Sequence, residues 1–136
     1  MVVNLASVMR LYLVRHAEAA PGEPDELRPI TARGRAQARA VGQSLRAARP
    51  ALVLTSPLLR ARETGAAIAR ETGAELRVDE RLAPGADAAS VVEAVAGGPD
   101  SVVAVGHQPD CSEIASALGV TVQGFAPAFC VEIELP

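Results

Sequence analysis

The sequence predicts an α/β domain, a three-layer sandwich with a mostly parallel central sheet flanked by helices. Three observations carry this expectation. Short Val- and Leu-rich runs alternate with longer Ala/Arg/Glu segments, the order of successive βαβ units. A hydrophobic share of 49% against a charged share of 21% is enough to build a packed core. The length of 136 residues provides for one domain, 1–136, and leaves no room for a second catalytic one. Aromatic residues are confined to Tyr12, Phe125 and Phe129, so Val, Leu, Ile and Ala must fill the core.

The first strand is Arg10-Leu-Tyr-Leu-Val-Arg15, and Pro21 to Pro29 then reads as an irregular acidic loop. Thr31 is a good N-cap for a helix from about Ala32 to Ala48, with Ala36, Ala40, Val41 and Leu45 on its apolar stripe and Pro50 ending it. Ala51 to Thr55 makes the second strand. After Ser56-Pro57 a helix runs from about Leu59 to Glu71 and stops at Gly73. Glu75 to Val78 is a short third strand, and Pro84-Gly85 turns the chain into a helix over Ala88 to Ala96. Ser101 to Gly106 is a fourth strand whose continuous apolar run implies burial on both faces. Asp110 is expected to cap a helix to about Leu118, and Phe129 to Leu135 alternates as a half-exposed final strand. The pattern begins at Arg10, so residues 1–8 read as an N-terminal extension, and either Met1 or Met9 fits as the natural start.

Several function classes recede on composition alone. The net charge of -3 does not favour nucleic acid or an anionic membrane, and the scarcity of aromatic rings removes the stacking platform that single strands need. No apolar run reaches the roughly 18 residues of a membrane span, and the opening segment lacks a signal-peptide pattern, so a cytoplasmic location is expected. Cys111 and Cys130 stand apart with no metal-ligand spacing and read as buried, reduced thiols, although Cys111 also follows closely on His107.

The chain has two histidines, His16 and His107, and each directly follows a predicted strand. Ligands of open α/β sheets bind beyond the carboxyl ends of strands, so the two rings share one crevice if strands one and four are neighbours. Arg15 precedes His16, and Arg60 opens the helix after strand two, at the same sheet edge. A guanidinium fork fits phosphate oxygens, and a helix N-terminus adds free N–H groups. Two histidines alone do not make a zinc site, so no metal and no cofactor are expected. Arg62 reads as a surface residue paired with a neighbouring carboxylate.

Leu13-Val14-Arg15-His16-Ala17, Ser56-Pro57-Leu58-Leu59-Arg60-Ala61 with Glu63-Thr64, and Val105-Gly106-His107 together resemble the histidine phosphatase (phosphoglycerate mutase-like) superfamily. Pro29-Ile30-Thr31 with Gly34 and Gln37-Ala38 is similar to the family's helix-opening segment. Ala17 stands where many members carry Gly. That variant, and Arg81 to Asp87, resemble the small SixA-type phosphohistidine phosphatases. The resemblance implies a phosphoglycerate mutase-like fold, His16 as the nucleophile that becomes phosphohistidine, and Arg15, Arg60 and His107 as catalytic and phosphate-binding groups. It also implies a metal-independent phosphatase. Attack needs His16 neutral while charge on His107 helps, so the two pKa values are expected to be pushed apart.

The acid that would protonate a leaving oxygen stays open among Asp79, Glu80, Glu18, Asp25 and Glu26. A weak acid and a short segment between Glu80 and strand four favour a phosphohistidine substrate on a signalling or phosphotransfer protein, with inorganic phosphate as product. The alternatives are a small-molecule phosphomonoesterase of the same superfamily and a non-catalytic phosphate-binding module. A mutase fits less well, because it must shield its phosphoenzyme from water.

Overall fold

The computed structural model describes residues 8–136. β1 spans Met9–Arg15, β2 Leu52–Thr55, β3 Glu75–Val78, β4 Ser101–Gly106 and β5 Cys130–Leu135. The helices are α1 (Ala32–Ser44), α2 (Leu59–Thr72), α3 (Ala88–Val95) and α4 (Asp110–Ala117). One sheet runs β3-β2-β4-β1-β5, parallel throughout except for β5, which pairs antiparallel with β1. The three-layer α/β architecture expected from the sequence is therefore the one observed. Of the segment expected to precede the domain, residues 1–7 lie outside the described residues; Val8 is exposed.

Strand alternation distributes the core over both faces of the sheet. Leu11 and Leu13 point towards Val91 and Val95 of α3 and Ile114 of α4, whereas Tyr12 and Val14 join Leu45, Ala61 and Ile68 on the side of α1 and α2. Val102, Val103 and Val105 are wholly buried, each contributing about 1.5–3 kcal/mol through lost apolar hydration. In the β1–β4 register Arg15 faces Gly106. The next residues, His16 and His107, therefore leave the sheet side by side.

Three expectations are corrected. The first helix ends at Ser44, and Arg46–Ala48 tightens into a 3-10 turn. There the Leu45 N–H is shared between the carbonyls of Val41 and Gly42, and Arg49 turns left-handed at φ 48 ahead of Pro50. The apolar stripe of α1 is also shifted: Ala36 and Ala40 are exposed, and Gly34, Ala38, Gly42 and Leu45 face inward. Close approach decides this, since a Cβ on Gly42 would stand 2.8 Å from the Glu71 Cβ. Finally, Asp110 is the first residue of α4, not its cap. Gln108 serves the helix start by accepting from the Ser112 N–H at 2.9 Å, while the Asp110 carboxylate accepts from the Gly85 N–H at 2.8 Å. The other element ends agree with the sequence reading to about one residue.

Gly65 shows how tightly α2 lies on the sheet, because a Cβ there would sit 2.2 Å from Thr55 Cγ2. Alanine gains about 1 kcal/mol of helix propensity but forces a buried strand side chain to move. Gly65→Ala is expected to lower stability by about 1–3 kcal/mol, read as a lower urea midpoint. An unchanged or higher midpoint would mean that α2 rides further from β2.

Candidate active site

His16 and His107 meet at the carboxyl edge of β1 and β4, with ring centroids 5.3 Å apart. The backbone fixes their approach: the His16 N–H donates to the Gly106 carbonyl at 2.9 Å, and the Ala17 N–H donates to Thr64 Oγ1 at 2.9 Å. Thr64 in turn donates to the Arg60 carbonyl, so β1 and α2 hold the site as one unit. On the far side the Ala128 N–H is shared by the carbonyls of Arg15 and His16.

His16 Nδ1 lies 2.7 Å from the Ala17 carbonyl oxygen. A carbonyl can only accept, so Nδ1 carries the proton and Nε2 keeps its lone pair. His107 Nε2 lies 2.7 Å from Ser56 Oγ, and Ser56 Oγ also accepts from the Leu58 N–H at 3.2 Å. Ser56 Oγ is free to donate to Nε2, and that assignment puts the His107 proton on Nδ1. That atom is buried with no partner, as is Arg15 Nε. Arg15 is anchored by donating from Nη1 to the Phe125 carbonyl at 2.9 Å. Two buried donors without acceptors beside a nucleophilic nitrogen are what an oxyanion would satisfy.

Arg60 is almost wholly buried and donates to Asp25 twice, to its carbonyl at 2.9 Å and to its carboxylate at 3.1 Å. Arg28 donates to the other Asp25 oxygen at 3.1 Å and to the Ala20 carbonyl at 2.8 Å. The structure thus brings all four expected groups, His16, His107, Arg15 and Arg60, to one sheet edge. It adds three that sequence reasoning passed over: Arg28, whose charge reaches His16, Ser56 on His107, and Thr64 under Ala17. Ser56 and Thr64 stood inside the quoted motifs, but Arg28 carried no signal beyond its place in an acidic loop.

The candidate acids separate. Asp25 is held below the usual carboxylate range by Arg28 and Arg60, and Asp79 by Arg81. Glu18 accepts from Thr31 Oγ1 at 2.9 Å and pairs with Arg33. Glu80 and Glu26 are exposed. Arg62, expected to pair with a carboxylate, makes no ion pair among the described residues: its side chain faces solvent from the outer side of α2. Cys111 is buried behind the sheet against the Val14 carbonyl, and burial pushes both thiols up to about 12. Among the described residues no three His, Cys, Asp or Glu side chains cluster to hold a metal, and no helix is long and apolar enough to cross a membrane.

The expected separation of the two histidine pKa values does not occur. Burial draws both down to about 4, aided by Arg60 and Arg15 at each ring and by His16 at His107. Both rings are therefore neutral near pH 7, which suits His16 as nucleophile and leaves His107 a neutral donor through Nδ1. Because the unfolded rings titrate near 6.5, the unfolded chain binds more protons between pH 6.5 and about 4. Stability is expected to fall across that window as pH drops, by on the order of 2–3 kcal/mol per ring. Urea midpoints at pH 7.5, 6 and 4.5 measure this. A flat profile, or one no flatter after His16→Asn with His107→Asn, would overturn it.

The sequence profile of the histidine phosphatase superfamily (branch 1) matches residues 11–84. The chain belongs to that superfamily. An uncharacterized protein of Picosynechococcus sp. is 38% identical over 81% of this chain and 73% of its own length. Among solved structures, a SixA of Agrobacterium tumefaciens named as a candidate phosphohistidine phosphatase is 28% identical with a TM-score of 0.78, over 91% of this chain and 89% of the other. The protein histidine phosphatase SixA complexed with tungstate is 25% identical with a TM-score of 0.80, over 91% and 86%. A mycobacterial glucosyl-3-phosphoglycerate phosphatase complexed with VO3 is also 25% identical, with a TM-score of 0.70 over 91% and 90%. The chain is thus a histidine phosphatase of SixA-type architecture.

Proposed function

We propose that this chain hydrolyses phosphohistidine on a partner protein through its own phosphohistidine at His16. The observation that carries the choice is Asp25: the carboxyl that reaches Arg60 is held ionised by two guanidinium groups and has no proton to give. An alkoxide leaving group needs a general acid, worth about 10²–10⁴ in rate. An imidazole protonated on its second nitrogen leaves as a neutral ring and needs none.

In the first step His16 Nε2 attacks phosphorus and the P–N bond to the substrate imidazole breaks, its electron pair returning to that nitrogen. In the second, water attacks phosphorus, the His16 P–N bond breaks, and the water proton passes to a phosphate oxygen. Arg15, Arg60 and His107 Nδ1 face the charge carried by the equatorial oxygens throughout. No metal is needed in this scheme. The names of the SixA relatives support this substrate class, and the ester-cleaving relative defines the competing one.

The test measures phosphate release, in chelator, from a phosphohistidine protein and from an aryl phosphate ester, for wild type and Glu80→Gln. Strong preference for phosphohistidine, unchanged in Glu80→Gln, is the expected outcome. Preference for the ester, lost in Glu80→Gln, would assign a small-molecule phosphomonoesterase with Glu80 as acid. Phosphate binding without turnover of either would leave a binding module.

A further inference from the structure

A second cationic feature lies outside the histidine pocket. Along the seam of α1 and α2 runs an open groove of about 220 Å³, bordered by Arg35 and Arg39 on one side and Arg70 on the other, over a floor of Ile30 and two alanines. Arg39 and Arg70 make no ion pair or side-chain hydrogen bond among the described residues, and Arg35 reaches only the Ile30 carbonyl at 3.4 Å. Elsewhere exposed arginines mostly meet carboxylates of their own, as Arg33 does with Glu18 and Arg77 with Glu75.

The two carboxylates that line the groove are already engaged. Glu63 accepts from the Ile30 N–H at 2.9 Å, and Glu71 is paired with Arg46. In a chain of net charge -3, this groove therefore offers three guanidinium groups without a carboxylate partner.

We infer that this groove docks an acidic segment of the phosphoprotein substrate, an inference that rests on the phosphohistidine-protein reading above. Three features favour an extended acidic peptide over a small anion. The arginines are spread over two helices, Arg35 and Arg39 on α1 and Arg70 on α2. Arg35 and Arg39, one turn apart, are separated by about 5–6 Å, close to the roughly 7 Å between alternate side chains of a strand. The floor is apolar and accepts the methylene stems of acidic side chains whose carboxylates reach the arginines. The groove also begins next to the site: Ile30 ends the loop that holds Asp25 and Arg28, and Glu63 adjoins Thr64. A protein presenting phosphohistidine to His16 can thus reach both.

The test compares wild type with the Arg39→Glu, Arg70→Glu double variant on a phosphohistidine protein bearing an acidic segment and on free phosphoimidazole. Binding of an unphosphorylated Glu/Ala-alternating peptide is titrated in parallel. The expected result is a KM for the phosphoprotein raised about tenfold or more at unchanged kcat, with phosphoimidazole turnover unaffected. Peptide binding should be lost, and the wild-type KM should rise with salt while that of the variant does not. An unchanged KM, an equal loss on phosphoimidazole, or binding of tripolyphosphate in place of the peptide would overturn the inference. Turnover of neither substrate, with the peptide still bound through Arg39 and Arg70, would sink the phosphohistidine reading and leave the acidic-segment site standing.

Discussion

His16→Ala is expected to carry no acid-labile phosphoryl label and to lose about 10⁴–10⁶ of the turnover of the wild-type chain. The size follows from what the ring does and what cannot replace it. Its Nδ1–H is committed to the Ala17 carbonyl, so the lone pair on Nε2 is oriented without a second catalytic group. Among the described residues the thiol of Cys111 points to the Val14 carbonyl, away from the site, and the Ser56 hydroxyl is engaged with His107 Nε2 and the Leu58 N–H. His107→Ala removes a donor and not the nucleophile, so it should slow labelling by about 10²–10³ and still permit it. Rapid quench with labelled phosphohistidine protein, followed by acid and base treatment, separates the two variants. An acid-labile label that persists in His16→Ala would move the nucleophile elsewhere.

Much of this arrangement was legible in the chain because regular elements announce themselves by period. The runs that became β1 and β4 placed a histidine after each, and their parallel pairing, the condition on which a shared crevice rested, is what brings the rings to 5.3 Å. The packing of α1 was misread because glycine has no hydrophobic side chain to count. Gly34 and Gly42 face inward for the space they leave, a property of the neighbouring helix and loop that no pattern in α1 contains. The histidine pKa values were misjudged for a similar reason. A charged His107 was expected for the help its charge gives the reaction, while the pocket supplies cations and burial, and both favour the neutral ring. The pairing of Asp25 with Arg60 joins residues 35 positions apart through an irregular loop, where no period exists to read.

That pairing supplies the second large effect. Arg60→Ala is expected to lower turnover by about 10²–10³, the usual cost of one preorganised donor to a developing oxyanion. Its binding of inorganic phosphate should weaken as well. The same change also unties the loop that Asp25 belongs to, so loss of activity alone would not tell a phosphate ligand from a structural brace. Asp25→Asn makes the distinction. The Asp25 carboxylate lies across Arg28 and Arg60 as a phosphate would, and an incoming phosphoryl group must displace it. Removing that negative charge while keeping Arg60 should tighten competitive inhibition by phosphate several-fold, with kcat changed little. If Arg60 merely braced the loop, Asp25→Asn would loosen the same brace and shift phosphate inhibition in the same direction as Arg60→Ala. Opposite signs from the two variants are therefore the expected result, and inhibition constants for phosphate in both decide between ligand and brace.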